Sequence, residues 1–215
     1  MARSLKYDIP GPDWRVAEDE VREKGWEAIF GSELVRPLRF VVEIGFGNGD
    51  FLIDCARREA DAAHVGAEYS RKRVLKTARK LARTELANVR LLLCTGETLI
   101  RELLPEASVR ACWINFPDPW PKKRHRRRRL LKPEFVHDLA LRLEPGGSVH
   151  VATDHVDYAE AIDAALASDP RLVNACAPER FLRAVPDRMP TRYEREWRAE
   201  GRPLHFFEYR REVPH

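Results

Sequence analysis

Glu43-Ile44-Gly45-Phe46-Gly47-Asn48-Gly49 sets three glycines at alternate positions directly behind an acid. Glycines spaced this way let the backbone turn sharply and approach a ligand closely. A helix opening behind them would offer free N–H groups to negative groups. Asp50 occupies the place of the third glycine in the dinucleotide fingerprint, so the pattern is ExGxGxG rather than GxGxxG. By itself it is weak evidence, because a tight strand–helix turn with no ligand is the other reading. Glu68 lies 25 residues beyond Glu43. At a strand end such an acid either accepts both hydroxyls of a ribose or is a solvated carboxylate. Asn115-Phe116-Pro117-Asp118-Pro119-Trp120-Pro121 holds a carboxylate between two prolines on a stiff backbone, with Phe116 and Trp120 as faces for stacking a base. Asp154 either faces the same cleft or caps the helix behind it. The polar stretch 190–201, with Tyr193 and Glu194 near its centre, is either a solvated or a substrate-facing loop.

Lys122, Lys123, Arg124, Arg126, Arg127, Arg128 and Arg129 place seven cations in eight positions. Removing those seven turns the net charge of +4 into −3, so an otherwise mildly acidic chain carries one concentrated positive site. Charges this dense repel one another strongly unless a polyanion is near. Nucleic-acid binding is expected, and with three to five phosphate contacts log K falls with log salt at a slope of about −2 to −4.5. Without RNA the octet is expected to be unordered.

These residues must be positioned by something. Short β-branched runs closed by turns predict strands at 39–45, 64–70, 88–94, 109–116 and 148–154. Helices are expected at 13–31, behind the glycine turn, and at 71–86 (a basic one), 97–104, 133–143 and 156–168. In 13–31 Asp13 reads as the N-cap, and Pro145-Gly146-Gly147 stops 133–143. Two further strands at 172–177 and 204–211 break the alternation and suit an antiparallel edge hairpin. The result is an α/β fold: a doubly wound, mostly parallel sheet of seven strands, with ligands at the carboxyl ends of the strands. Residues 1–12 read as a mobile arm, so the chain divides into an arm and helix at 1–37 and one domain at 38–215.

Hydrophobic residues are 44% and charged residues 33%, which excludes a disordered or collagen-like chain. Cys55, Cys94, Cys112 and Cys176 form no CxxC pair, so buried reduced thiols are expected and no metal site. No apolar leader or 20-residue apolar run is visible. The expected location is the cytoplasm, with no membrane or DNA partner, as a monomer or homodimer.

In combination these motifs resemble the bacterial tRNA (guanine-N7-)-methyltransferases, class I enzymes using S-adenosylmethionine. The resemblance covers roughly residues 38–212 and rests most on NFPDPWPKKRH (115–125), ATDHVDYA (152–159) and TRYE (191–194). It implies a Rossmann-like fold, with Glu43, Gly45, Gly47 and Gly49 holding the methionine half of the cofactor and Glu68 its ribose. Asp118 would sit between cofactor and guanine as the catalytic residue. Lys122, Asp154, Thr191, Arg192, Tyr193 and Glu194 would contact the substrate, expected to be the variable-loop guanosine at tRNA position 46. The family's Asp-Ala behind the third strand is replaced here by Thr95-Gly96, so either Thr95 or the following Glu97 serves the adenine side. The nearest alternative is a methyltransferase of the same fold acting on another RNA or base atom. An NAD-dependent oxidoreductase is opposed by Asp50 and the octet. A non-catalytic RNA-binding module would leave Glu43, the glycine turn and Glu68 without a role.

Overall fold

The computed structural model describes residues 8–32, 34–185 and 188–213. Its strands are β1 (Arg15–Val16), β2 (Phe40–Ile44), β3 (Ala63–Ala67), β4 (Val89–Leu92), β5 (Val109–Asn115), β6 (Leu143–Thr153), β7 (Leu172–Asn174) and β8 (His205–Arg211). Among the described residues they form one eight-stranded sheet, ordered β1-β4-β3-β2-β5-β6-β8-β7. β1 to β6 pair in parallel, while β8 lies antiparallel to β6 and β7. The predicted architecture and edge hairpin are present; the strand count is one too low. The additional strand is β1, a two-residue pairing with Leu91 and Leu92.

Side chains alternate across the strands and supply two larger cores, with a third small cluster of Ala152, Leu204 and Phe206. Phe40, Val42 and Ile44 of β2 face a core with α1 (Glu18–Phe30), α5 (Pro133–Arg142) and α6 (Val156–Leu166). On the other face α2 (Asp50–Arg58) and α3 (Arg71–Leu81) bring Leu52, Ile53, Val74 and Leu81 together with Phe46 and Leu91. Asp50 in the first turn and Arg57 and Arg58 in the last suit the dipole of α2.

Several predicted boundaries move. Helix 13–31 begins only at Glu18, because Asp13 accepts hydrogen bonds from the Arg15 backbone and guanidinium instead of capping. Gly25, at φ 72°, kinks α1. Helix 71–86 ends at Leu81, whose carbonyl accepts the Thr84 hydroxyl at 2.7 Å. Helix 97–104 is one α turn, α4 (Gly96–Thr98), followed by a π turn at Leu99–Leu103. Pro145-Gly146-Gly147 lies inside β6 rather than after a helix, and α5 ends at Arg142. The expected arm lies outside the described residues at 1–7. Beyond it Ile9 packs against the second core and Trp14 stacks on Arg90 at 4.7 Å.

Among the described residues no helix is long and apolar enough to cross a membrane, and no cluster of metal ligands occurs. The four cysteines are unpaired, Cys94, Cys112 and Cys176 being buried and Cys55 partly so.

Candidate active site

The strand order reverses direction at β2, with β3 on one side and β5 on the other, and such switch points open a crevice at the carboxyl ends. Two adjoining recesses lie there, of about 330 and 380 Å³. They share Gly45, Arg73 and the segment Asn115–Asp118. The first also takes in Glu43, the turn through Gly49, Asp154, Thr191 and Tyr193. The second takes in Glu68, Tyr69, Thr95, Glu97 and Trp120.

Gly45, Gly47 and Gly49 have φ of 74°, 55° and 73°, a region side chains rarely enter. A Cβ on Gly49 would also lie 2.2 Å from the Thr77 methyl. The turn is held from outside by Glu68, whose Oε2 accepts from Gly47 N–H at 3.0 Å and Oε1 from Ser70 N–H at 2.9 Å. Arg73 lies 3.6 Å from the same carboxylate.

Glu43 points to the α2 side of β2. It sits opposite Trp113 of β5, so Asn115, two residues on, shares its face. Asn115 Nδ2 donates to Glu43 Oε1 at 3.0 Å, and Oε2 is buried with no partner. Burial pushes the Glu43 carboxyl up to about 7, against the Asn115 hydrogen bond and the Arg188 charge, which favour ionisation. A buried carboxylate oxygen left open beside a cavity is a seat for a cation or an N–H donor.

Behind Asn115 stands a residue that the motifs did not reveal. Arg188 Nη2 donates to Asn115 Oδ1 at 2.6 Å and its Nε to Glu194 at 3.3 Å. Its guanidinium lies 5.2–5.4 Å from the rings of Phe51, Trp113 and Phe206. Burial lowers its pKa, while Glu194 and Glu43 oppose the shift. The other oxygen of Glu194 accepts from Arg198 at 2.8 Å. Glu194 therefore faces inward, 1% exposed, between two arginines. Its buried ion pairs anchor α7 (Arg192–Ala199), whose N-cap is Thr191. Arg188→Met leaves the buried Glu194 with Arg198 alone and Asn115 Oδ1 without its donor, and a loss of about 1–3 kcal/mol of stability is expected. Urea unfolding at pH 7 measures it; a change under 1 kcal/mol would contradict the inward anchoring.

Asp118 is exposed, with Tyr69 Oη 3.4 Å away. Phe116 and Trp120 on either side have φ of 53° and 42°, strained for residues with side chains. Phe116 packs edge-on to Trp197 at 4.8 Å, and Arg128 lies over Trp120 at 4.9 Å. Asp154 pairs with Arg202 at 3.2 Å. It is not the cap of α6: His155 Nδ1 accepts the Tyr158 N–H there, so the capping alternative fails. Thr95 caps α4 through the Thr98 N–H at 3.1 Å, and both Thr95 and Glu97 line the second recess.

The octet is not unordered: Lys123–Arg128 form a 3₁₀ helix. Nor are its charges equivalent. Arg129 is 5% exposed; it donates to the Pro119 carbonyl at 2.8 Å, ion-pairs with Asp157 at 2.5 Å and stacks on Tyr158. Its expected role as a phosphate contact is therefore corrected to an internal brace for the Asp118 loop. Arg126 shares Asp157 at 2.6 Å and Arg128 lines the second recess. Lys122, Lys123, Arg124 and Arg127 remain exposed, Lys122 at the head of the 3₁₀ helix a few residues beyond Asp118.

The strand order and the glycine turn define a Rossmann-like α/β fold. Solved structures agree on the fold: an rRNA methylase from Streptococcus thermophilus superposes with a TM-score of 0.55 at 17% identity, covering 84% of this chain and 90% of that one. A geranyl diphosphate C-methyltransferase from Streptomyces coelicolor, solved with S-adenosyl-L-homocysteine, gives 0.57 at 15% identity over 83% and 72%. A family profile described as "Putative methyltransferase" matches residues 38–207. The tRNA (guanine-N(7)-)-methyltransferase of Halorhodospira halophila is 37% identical over 194 residues, 89% of this chain and 82% of the relative. That of Thermotoga maritima is 42% identical over 177 residues, 82% of this chain, which spans about half (54%) of that relative's length. The chain belongs to the tRNA (guanine-N7-)-methyltransferase family.

Proposed function

We propose that this chain transfers a methyl group from S-adenosylmethionine to N7 of a guanosine in tRNA, the variable-loop guanosine at position 46. The observation that supports this most is convergence. Glu43, Glu68 and Asp118 line adjoining recesses that share a wall, and the octet begins beside them. The residues fit the cofactor: an open buried oxygen on Glu43 and a turn of left-handed glycines are what a cationic ligand with a close backbone approach requires. Glu43 with Gly45, Gly47 and Gly49 would hold its methionine half. Glu68 would take the ribose, since each of its oxygens keeps a lone pair beyond its backbone bond. Thr95 or Glu97 would serve the adenine side. When bound, this cofactor supplies a methyl group carried on a sulfonium.

Guanine N7 bears a lone pair and no proton, so no general base is required and positioning supplies much of the rate. N7 methylation puts positive charge on the imidazole ring of the base. Asp118, on the wall shared by both recesses, stabilises that charge and hydrogen-bonds the guanine edge. Asp154, held by Arg202, orients the base, and Phe116 or Trp120 offers a stacking face. Thr191, Arg192 and Tyr193 close the substrate side. Drawing the guanosine from its stack costs a few kcal/mol, approximately, which these contacts must offset. The residues assigned to catalysis and binding lie within 38–215, and β1 and α1 of the segment before it pack onto the same sheet and core.

Mass spectrometry of nuclease-digested tRNA after incubation with protein and S-adenosylmethionine tests the reading: 7-methylguanosine must appear, and a different methylated nucleoside would refute it. The octet has its own test. Replacing Lys122, Lys123, Arg124 and Arg127 with Gln should flatten the log K–log salt slope for tRNA by about 3 to 4. A slope equal to wild type would show that these cations do not meet phosphate.

A further inference from the structure

The octet is not the only dense run of cations. Residues 71–83 carry seven Lys/Arg and no acid. Three of these cations face inward and secure α3 to the glycine turn. Arg73 lies beside Glu68, Lys76 Nζ donates to Asn48 Oδ1 at 3.1 Å, and Lys80 pairs with Asp50 at 2.5 Å. The outward side is different. Lys72, Arg79 and Arg83 stand at i, i+7 and i+11, one face of the helix and the turn after it, while Lys76 on the same stripe is turned to Asn48. Lys72 and Arg83 are exposed, and among the described residues neither they nor Arg79 meets a carboxylate. Arg79 Nε lies buried with no hydrogen-bond partner.

This arrangement breaks two local rules at once. Like charges at i, i+4 destabilise a helix. The first turn of α3 holds Arg71, Lys72 and Arg73 and no acid, the wrong sign for a helix N-terminus. Glu68 and Asp50 answer Arg73 and Lys80, but among the described residues no carboxylate answers Lys72, Arg79 or Arg83; local violations left so point to something outside the chain, and a row of such cations selects a polyanion.

The location names which polyanion. β3, which leads into α3, and β5, which leads into the octet, flank β2 on opposite sides. Arg73 at the head of α3 lines both recesses, whereas Arg128 and Trp120 lie on the octet side of the second. From Lys72 to Arg83 the row runs about 16 Å away from the cavity, long enough for several successive phosphates. We propose that the outward face of α3, with Lys72, Arg79 and Arg83, is a second phosphate-binding strip that grips the backbone of a structured RNA on the side of the cavity opposite the octet. This rests on the tRNA reading above and extends it: the substrate is held from two sides, so a rigid folded RNA suits the site better than a short single strand.

The test is the triple variant Lys72→Gln, Arg79→Gln, Arg83→Gln. Glutamine keeps helix propensity, and Lys76 stays because it holds the glycine turn. Binding of an unmodified tRNA transcript is followed over a salt series, alongside cofactor affinity by calorimetry and methylation at saturating tRNA. The expected slope is shallower by about 2 to 3, with tRNA affinity about tenfold weaker or more near 0.15 M salt. Cofactor affinity and the saturating rate should match wild type. The charge-keeping triple Lys72→Arg, Arg79→Lys, Arg83→Lys should restore the wild-type slope, which separates a charge effect from a folding defect. If wild type methylates tRNA and the glutamine triple keeps its affinity and slope, the strip is overturned, also in the case where the triple instead loses binding to anionic vesicles or an acidic protein. If wild type methylates no tRNA, the functional reading fails first and the strip fails with it.

Discussion

Asp118→Ala should lower the rate of methyl transfer to tRNA by about 10²–10³-fold, the usual effect of removing a group aimed at charge that develops during reaction. The carboxylate is exposed and, among the described residues, its one hydrogen bond is to Tyr69 at 3.4 Å, so stability should change by no more than about 0.5 kcal/mol. Its position is nevertheless well determined. Pro117 and Pro119 restrict the backbone, Phe116 N–H is tied to the Ala152 carbonyl at 2.8 Å, and Arg129 holds the Pro119 carbonyl. The strained Phe116 and Trp120 are kept in place by the same contacts, and such strain gathers where a loop is shaped for function. Asp118→Asn keeps the shape and removes the charge. If charge stabilisation is the role, Asn should be nearly as slow as Ala under single-turnover conditions. A rate within threefold of wild type for Asp118→Ala would remove Asp118 from the chemistry.

Cofactor affinity should fall as pH drops below about 7, by up to about tenfold per unit, because a cationic ligand requires ionised Glu43. The groups facing this carboxyl are Asn115 and Arg188, which favour ionisation, and Glu68, which opposes it, with the Leu52 backbone and burial completing the set. Cys55 of α2 lies within reach of the same charge, and burial pushes its thiol up to about 12, so it stays neutral. Glu43→Gln keeps the hydrogen bond from Asn115 but not the charge. It should weaken S-adenosylmethionine binding by about 10–100-fold at pH 8 and flatten the pH profile. Calorimetry from pH 5.5 to 8.5 reads both effects, and a flat wild-type profile would contradict the assignment.

The same group should affect the free protein with the opposite sign. Its folded pKa of about 7 exceeds the ordinary 4.5, so the folded state binds more protons between those values. Stability from this group is then lost as pH rises through that window, by up to about 3 kcal/mol. Buried His64 and half-buried His150, both held near 4, act the other way, adding stability as pH rises from about 4 to 6.5. Only the difference between wild type and Glu43→Gln isolates the glutamate.

The sheet and the strand-end residues were legible in the sequence because a parallel α/β fold repeats its signals: a β-branched run, a turn, a helix. Periodicity finds such units, and chemistry at the strand ends follows from topology. β1 escaped notice because two residues carry no period, and the head of α1 because Asp13 had a nearer partner in Arg15. The site was legible where it is local, as in the glycine turn and the Phe116–Trp120 loop. It was not where burial decides the role. Nothing in a run of arginines says that Arg129 turns inward to Asp157 while Arg127 does not. Arg188, one arginine in a Pro/Arg-rich stretch, has no local signal either, because its partners Asn115 and Glu194 are brought together only by the fold. The inward direction of Glu194 had no local signal for the same reason: TRYE shows an acid near a loop, not the way it faces.

The central claim concerns one atom, N7 of a guanine, and it can be tested by removing that atom. Methyl transfer from labelled S-adenosylmethionine is compared for a tRNA transcript and for the same transcript with 7-deazaguanosine at the variable-loop position. Label should enter the first and be absent from the second; equal labelling of both would contradict the account.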